Sequence, residues 1–194
     1  MNTFTSRGAL AAALTLATLA LAACAPAVVA VTGTVQATAT PLTSADGAIT
    51  EEDGFISVGD SVSAFDEELP AIANLDPELR AAVQAAVTAA ESDGVVMVVS
   101  SGWRSAAYQQ ALLDDAVARY GSLEEARKRV STPELSQHVT GNAVDIGYTD
   151  ADSWLSQHGA RYGLCQIYAN EMWHFELATD PGGVCPEQKL DAAG

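Results

Sequence analysis

Basic residues are scarce in this chain: 9 Lys and Arg stand against 25 Asp and Glu, for a formal net charge of −16 over 194 residues. No basic stripe exists to meet phosphates, which excludes a nucleic-acid partner, and charge-driven adhesion to an anionic surface is excluded with it. Between Gly8 and Leu79 there is no Lys or Arg at all, while Glu51, Glu52, Asp53, Asp60, Asp66, Glu67 and Glu68 follow one another closely. That stretch reads as a solvated, self-repelling segment. Long hydrophobic runs are also missing. The longest, Ala9 to Ala23, is too short for a comfortable membrane span and fits the apolar region of a secretory signal.

Cysteine and histidine number only three each, so the position of each one is informative. Cys24 directly follows Leu21-Ala22-Ala23, which resembles a bacterial lipobox and makes Cys24 the expected lipidation site. A chain exported in this way works on the extracytoplasmic face, held to the membrane by its lipid only. Cys165 and Cys185 then remain as an even pair in an oxidising compartment, and a disulfide between them is predicted. The expected organisation is a signal peptide over 1–23 and a lipidated cysteine with a flexible tether over 24–50. An acidic N-terminal arm over 51–73, a folded domain over 74–187 and a C-terminal tail over 188–194 complete it. The expected state is a monomer.

Regular structure begins at Asp76-Pro77, an N-cap followed by proline at the first helical position. Leu79, Val83, Ala86, Val87 and Ala90 share one face before Asp93-Gly94 ends the helix. Val95 to Ser100 reads as a buried strand. Ser105 caps a second helix that stops at Gly121, and Ser122 with Glu125 opens a third that ends before Pro133. Asp150 is the expected cap of a helix reaching about Tyr162, and Cys165–Tyr168 and Trp173–Leu177 read as closing strands. Helices on a small, mainly antiparallel sheet make the fold class α+β.

Two polar stretches interrupt this alanine- and valine-rich background: residues 136–147, with His138 and Asp145, and residues 171–176, with Glu171 and His174. On one uninterrupted strand His138 and Asp145, seven apart, would face opposite sides. Thr140-Gly141-Asn142 supplies a turn that lets them converge, and Ala143–Ile146 then carries Asp145 inward. If His174 sits on the following strand, Glu171 belongs to the loop before it. Two histidines and a carboxylate leave a tetrahedral zinc with an open position, the catalytic pattern and not the closed structural one. Glu171 is a spare carboxylate that could act on a proton.

Ser-x-His-x-x-Gly-x-Ala-x-Asp from Ser136, Glu-x-Trp-His from Glu171 and Ser-Gly-Trp-Arg-Ser from Ser101, in this order, resemble the zinc D-alanyl-D-alanine carboxypeptidases and dipeptidases of the VanY and VanX type. The resemblance implies a Hedgehog/D,D-peptidase-like zinc fold, one Zn2+ per chain and a peptidoglycan stem peptide as substrate. It implies His138, Asp145 and His174 as ligands, Glu171 as general base and then acid, and Arg104 as the residue that stabilises the oxyanion. Gln109 is expected to face the same cleft and Trp173 to wall it. Ser136 either orients His138 or binds substrate, and Glu176 either hydrogen-bonds a ligand histidine or takes an outward strand position. His158, which shares a helical face with Trp154 and Tyr162, is expected to be packed and not a ligand. The segment between Gly163 and Glu171 is short and lacks the basic residue often found there. The activity implied is release of the terminal D-alanine, with an endopeptidase, a dipeptidase or a non-catalytic wall-binding lipoprotein as alternatives.

Overall fold

The structure is a computed structural model that describes residues 42–193 except Asp46 and Val58. The expected signal peptide, Cys24 and most of the tether lie outside the described residues. The end of that tether departs from expectation. In it β1 (Thr43–Ser44) and β2 (Gly47–Ala48) pair antiparallel. Leu42 and Ile49 flank this hairpin; Ile49 is buried in one cluster with Tyr108 and Ala111, and Leu42 packs against that cluster. Two apolar side chains on either side of a tight turn are enough to dock it.

The acidic segment that follows belongs to the same body. Val62 pairs with Val99 through two backbone hydrogen bonds of 3.0 and 2.9 Å, and Ala64 and Ile72 are part of the main core. A short helix, α1 (Pro70–Ala73), leads into α2 (Pro77–Ser92). Asp76 caps α2 by accepting from the amides of Glu78 and Leu79, and Leu79, Val83, Ala86 and Ala90 are buried along one face. After Gly94 comes β3 (Val98–Ser101), shorter at its start than the expected Val95–Ser100. Its partner strand ends opposite Val98, so Val95–Met97 has nothing to pair with there and Val96 stays 68% exposed.

Ser105 caps α3 (Ala106–Tyr120), whose end is set by Gly121 at φ 83°. The following helix, α4 (Leu123–Arg127), is capped by Ser122 Oγ accepting from the Glu125 amide at 3.2 Å. Next are β4 (Ala143–Gly147), α5 (Thr149–His158), β5 (Leu164–Gln166) and β6 (His174–Leu177). Several boundaries differ from expectation: α5 ends at His158, with a 3-10 turn carrying on to Tyr162, and β6 starts one residue after Trp173. Helix α5 starts one residue before Asp150 and has no side-chain cap, so Asp150 sits in its first turn, where its charge still suits the helix dipole. Strand β5 ends at Gln166, and Tyr168 pairs instead with Lys189.

The sheet runs β3-β4-β6-β5 with every pairing antiparallel. Val144, Ile146 and Phe175 point into the core shared with Leu79, Val83, Trp154 and Leu155, from α2 and α5. Strand alternation therefore turns Asp145 and His174, which are direct cross-strand partners, to the opposite face. The functional residues lie on that face.

The predicted disulfide is present: Cys165 and Cys185, 20 positions apart in sequence, are bonded, with Cα atoms 5.6 Å apart. Closing a loop of this length restricts the unfolded chain by about 3 kcal/mol. Replacing both cysteines by serine is expected to lower the unfolding free energy by about that amount, read from urea unfolding, with a steeper slope because the uncrosslinked unfolded chain is more expanded. No helix among the described residues is long and apolar enough to cross a membrane.

Candidate metal centre

His138 stands in the turn that the sequence placed between it and Asp145. Gly141 takes φ 77°, and a Cβ there would meet Asn74 O, so only glycine lets this loop close against the start of α2. His138 Nδ1 donates to Gly102 O at 2.8 Å, which aims Nε2 into the site. His174 is oriented from its other side. Its Nε2 donates to Glu176 Oε1 at 2.9 Å, leaving Nδ1 inward. Sequence reading left Glu176 open between this contact and solvent; it is the group that fixes the His174 ring.

Three ligating atoms converge. His138 Nε2 is 3.2 Å from His174 Nδ1 and 3.3 Å from Asp145 Oδ1, and His174 Nδ1 is 3.2 Å from the same oxygen. A tetrahedral zinc with ligands at about 2.0–2.1 Å needs ligand atoms about 3.3–3.4 Å apart. The triangle has that size, all three residues are buried, and the donor set of two imidazoles and one carboxylate suits zinc with one position left over.

The charges agree with such a role. Burial works against the proton on His138, the Arg104 charge does the same, and its pKa is lowered. Burial alone would raise Asp145, but His138, His174 and Arg104 outweigh it and hold this carboxyl well below the usual range. Burial opposes the charge on His174 as well. Hydrogen bonds to Asp145 and Glu176, with their negative charges, overcome that and raise its pKa to about 9. The metal-free site therefore holds a proton on His174 at neutral pH, and a metal has to displace it. Zinc affinity is expected to rise about tenfold per pH unit between pH 7 and 9. Calorimetry in two buffers of different ionisation enthalpy checks this, with close to one proton released at pH 7.

Arg104 reaches the same cluster. Its Nη2 meets Asp145 Oδ2 at 2.7 Å, its Nε donates to Ser101 Oγ at 2.8 Å and its Nη1 donates to Gln109 Oε1 at 3.2 Å. Ser101 was missed from sequence, although it stands three residues before the arginine on the end of β3. Gln109 faces the cleft as expected, but both ends of its amide are engaged, since Nε2 donates to Ser131 O at 2.8 Å. It steadies Arg104. Ser136 is buried and lines the cleft, and no hydrogen bond ties its hydroxyl to His138.

Glu171 Oε2 lies 3.9 Å from His174 Nδ1. Its Oε1 is buried without a hydrogen-bond partner, and burial, partly offset by the His174 charge, raises the carboxyl to about 7. Trp173 is 43% exposed on the cleft wall, and Tyr168, unflagged by sequence in an apolar strand, packs its ring 5.0 Å from that of His174. The cleft holds about 190 Å³. His158 packs on Trp154 at 4.7 Å, as expected.

The comparisons with known proteins point the same way. The family model "VanY: D-alanyl-D-alanine carboxypeptidase" matches residues 72–181. A D-alanyl-D-alanine carboxypeptidase of Enterococcus faecalis is 30% identical over 162 residues, covering 66% of this chain and 60% of the relative's length. Among solved structures, the vancomycin-resistance D,D-pentapeptidase VanY in complex with Zn(II) is 28% identical with a TM-score of 0.50, covering 53% of this chain and 71% of that one. VanYB in complex with D-alanine-D-alanine is 28% identical, also at 0.50, covering 53% and 70%. The LdcB LD-carboxypeptidase, 24% identical at 0.51 over 62% and 66%, shares the fold. With the motifs, the sheet and the buried His-Asp-His triangle in agreement, this chain belongs to the VanY D-alanyl-D-alanine carboxypeptidase family.

Proposed function

We propose that the protein is a zinc-dependent D,D-carboxypeptidase that removes the terminal D-alanine from peptidoglycan stem peptides, held to the outer face of the membrane by a lipid on Cys24. The observation that carries the reading is the triangle of His138, Asp145 and His174 beside a buried carboxylate with a free oxygen, Glu171. The relatives supply the substrate class, since one of them holds D-alanine-D-alanine in its structure.

His138, Asp145 and His174 would hold the metal, which when bound supplies a Lewis acid for the carbonyl and an acidified water. The remaining work falls to the chain's own side chains. Glu171, with its pKa raised to about 7 by burial, is matched to accept a proton at neutral pH and return it to the leaving amine. Arg104 uses three of its donors on Ser101, Gln109 and Asp145, so its guanidinium is fixed before substrate arrives. It is then placed to stabilise negative charge developing on the carbonyl oxygen. The Ser136 hydroxyl is free to bind the peptide, and Trp173 forms the outer wall.

The test is purified protein with a pentapeptide ending in D-alanyl-D-alanine. Release of free D-alanine that chelator stops and zinc restores supports the reading. A zinc-loaded protein that releases no amine from any wall fragment would revive the wall-binding alternative.

A further inference from the structure

The cleft has an unusual wall. Downstream of Cys185 the chain returns to the site: Lys189 exchanges backbone hydrogen bonds of 2.9 Å with Ile167 and Ala169, on either side of Tyr168. Three residues later Ala192 lines the cleft itself. Ser131 Oγ donates to Ala192 O at 3.0 Å, and Ser131 O accepts from Gln109, which in turn holds Arg104. A continuous hydrogen-bonded wall thus runs from the Arg104 guanidinium to Ala192. Arg104 lies at this end, whereas Arg129, which also lines the cleft, holds its guanidinium over the Tyr120 ring at 5.0 Å. The disulfide to Cys165 holds the segment in place from its upstream side.

We propose that the segment 186–193 is a specificity device: it closes the arginine end of the cleft, so that a peptide must finish there with a free carboxylate. The inference rests on the carboxypeptidase reading above and chooses between that activity and cutting inside a chain. Three features support it. The cleft, at about 190 Å³, is smaller than the roughly 300–1,000 Å³ of sites that engulf whole ligands, and so suits the last residue or two of a peptide. The Arg104 guanidinium at the closed end, with two of its five N–H groups unclaimed by Ser101, Gln109 and Asp145, favours a carboxylate over a continuing neutral amide. The wall is backbone fastened at Lys189 and Ala192, and it is not a loose side chain that substrate could push aside.

The experiment compares two peptides in the zinc-loaded full chain: one ending in D-alanyl-D-alanine, the other extended beyond it by one glycine. The full chain is expected to favour the free-ended peptide by about 100-fold or more in kcat/KM. A version ended after Glu187 keeps the disulfide and loses the wall, and its preference is expected to fall at least about tenfold with zinc affinity unchanged. Ser131→Ala, which removes only the hydroxyl that fastens Ala192, is a second variant that leaves the core intact and is expected to shift the preference in the same direction. Equal cleavage of both peptides by the full chain, or an unchanged preference in both variants, overturns the proposal. If the full chain cleaves neither peptide, the carboxypeptidase reading itself falls and takes this inference with it.

Discussion

Glu171→Gln is expected to bind zinc as tightly as the parent and to hydrolyse a D-alanyl-D-alanine peptide about 10³-fold more slowly in kcat. The side chain keeps its size and loses only the ability to take a proton. No hydrogen bond is broken at Oε1, which has no partner, and the three ligating atoms belong to other residues. The substitution also carries a stability signature that separates chemistry from misfolding. Burial raises the Glu171 pKa from 4.5 to about 7, so its charged form is less favourable in the folded chain than in the unfolded one. Above pH 7 the metal-free variant should therefore be more stable than the parent, and this advantage should fade as pH falls to 4.5. A variant with near-parental kcat would remove Glu171 from the mechanism, whatever its stability.

Asp145→Ala has a second large expected effect, on metal and fold together. Asp145 Oδ1 meets both histidines while Oδ2 meets Arg104, with the acid and the guanidinium 10% and 14% exposed. Removing it leaves a nearly buried guanidinium without its counter-charge, which costs about 3 kcal/mol of stability in the metal-free protein. It also takes away the one anionic ligand and one of the two groups that keep His174 charged, so zinc uptake at micromolar metal should disappear. Urea unfolding of metal-free protein and equilibrium dialysis with zinc read the two effects separately. An unchanged midpoint would show that the Arg104 pair contributes nothing to the fold, and retained zinc would displace Asp145 from the ligand set.

Much of the site was legible because its residues occupy two short stretches whose local rules are strong. The turn at Gly141 and the alternation along Ala143–Ile146 are properties of a few consecutive residues, and they carried His138 and Asp145 to one place. Glu176 was ambiguous for a physical reason. Alternation says that it shares a face with His174, but not whether that face is open to water. Ser101, Tyr168 and Ser131 take their parts through contacts with residues distant in sequence, which no local pattern records. The helices were read well where a capping residue stood before an apolar face, as at Asp76, Ser105 and Ser122. The start of α5 was not, because Asp150 is equally at home as a cap or in the first turn. Leu42–Thr50 looked like tether because two apolar residues are too few to suggest a core. They dock only because α3 presents Tyr108 and Ala111 to them.

The most direct test of the central claim is product analysis after digestion of whole peptidoglycan by the zinc-loaded protein. Free D-alanine, with stem peptides each shortened by a single residue and cross-links left intact, is the predicted result. Release of the intact D-alanyl-D-alanine dipeptide, scission of cross-links, or an unaltered wall would contradict it.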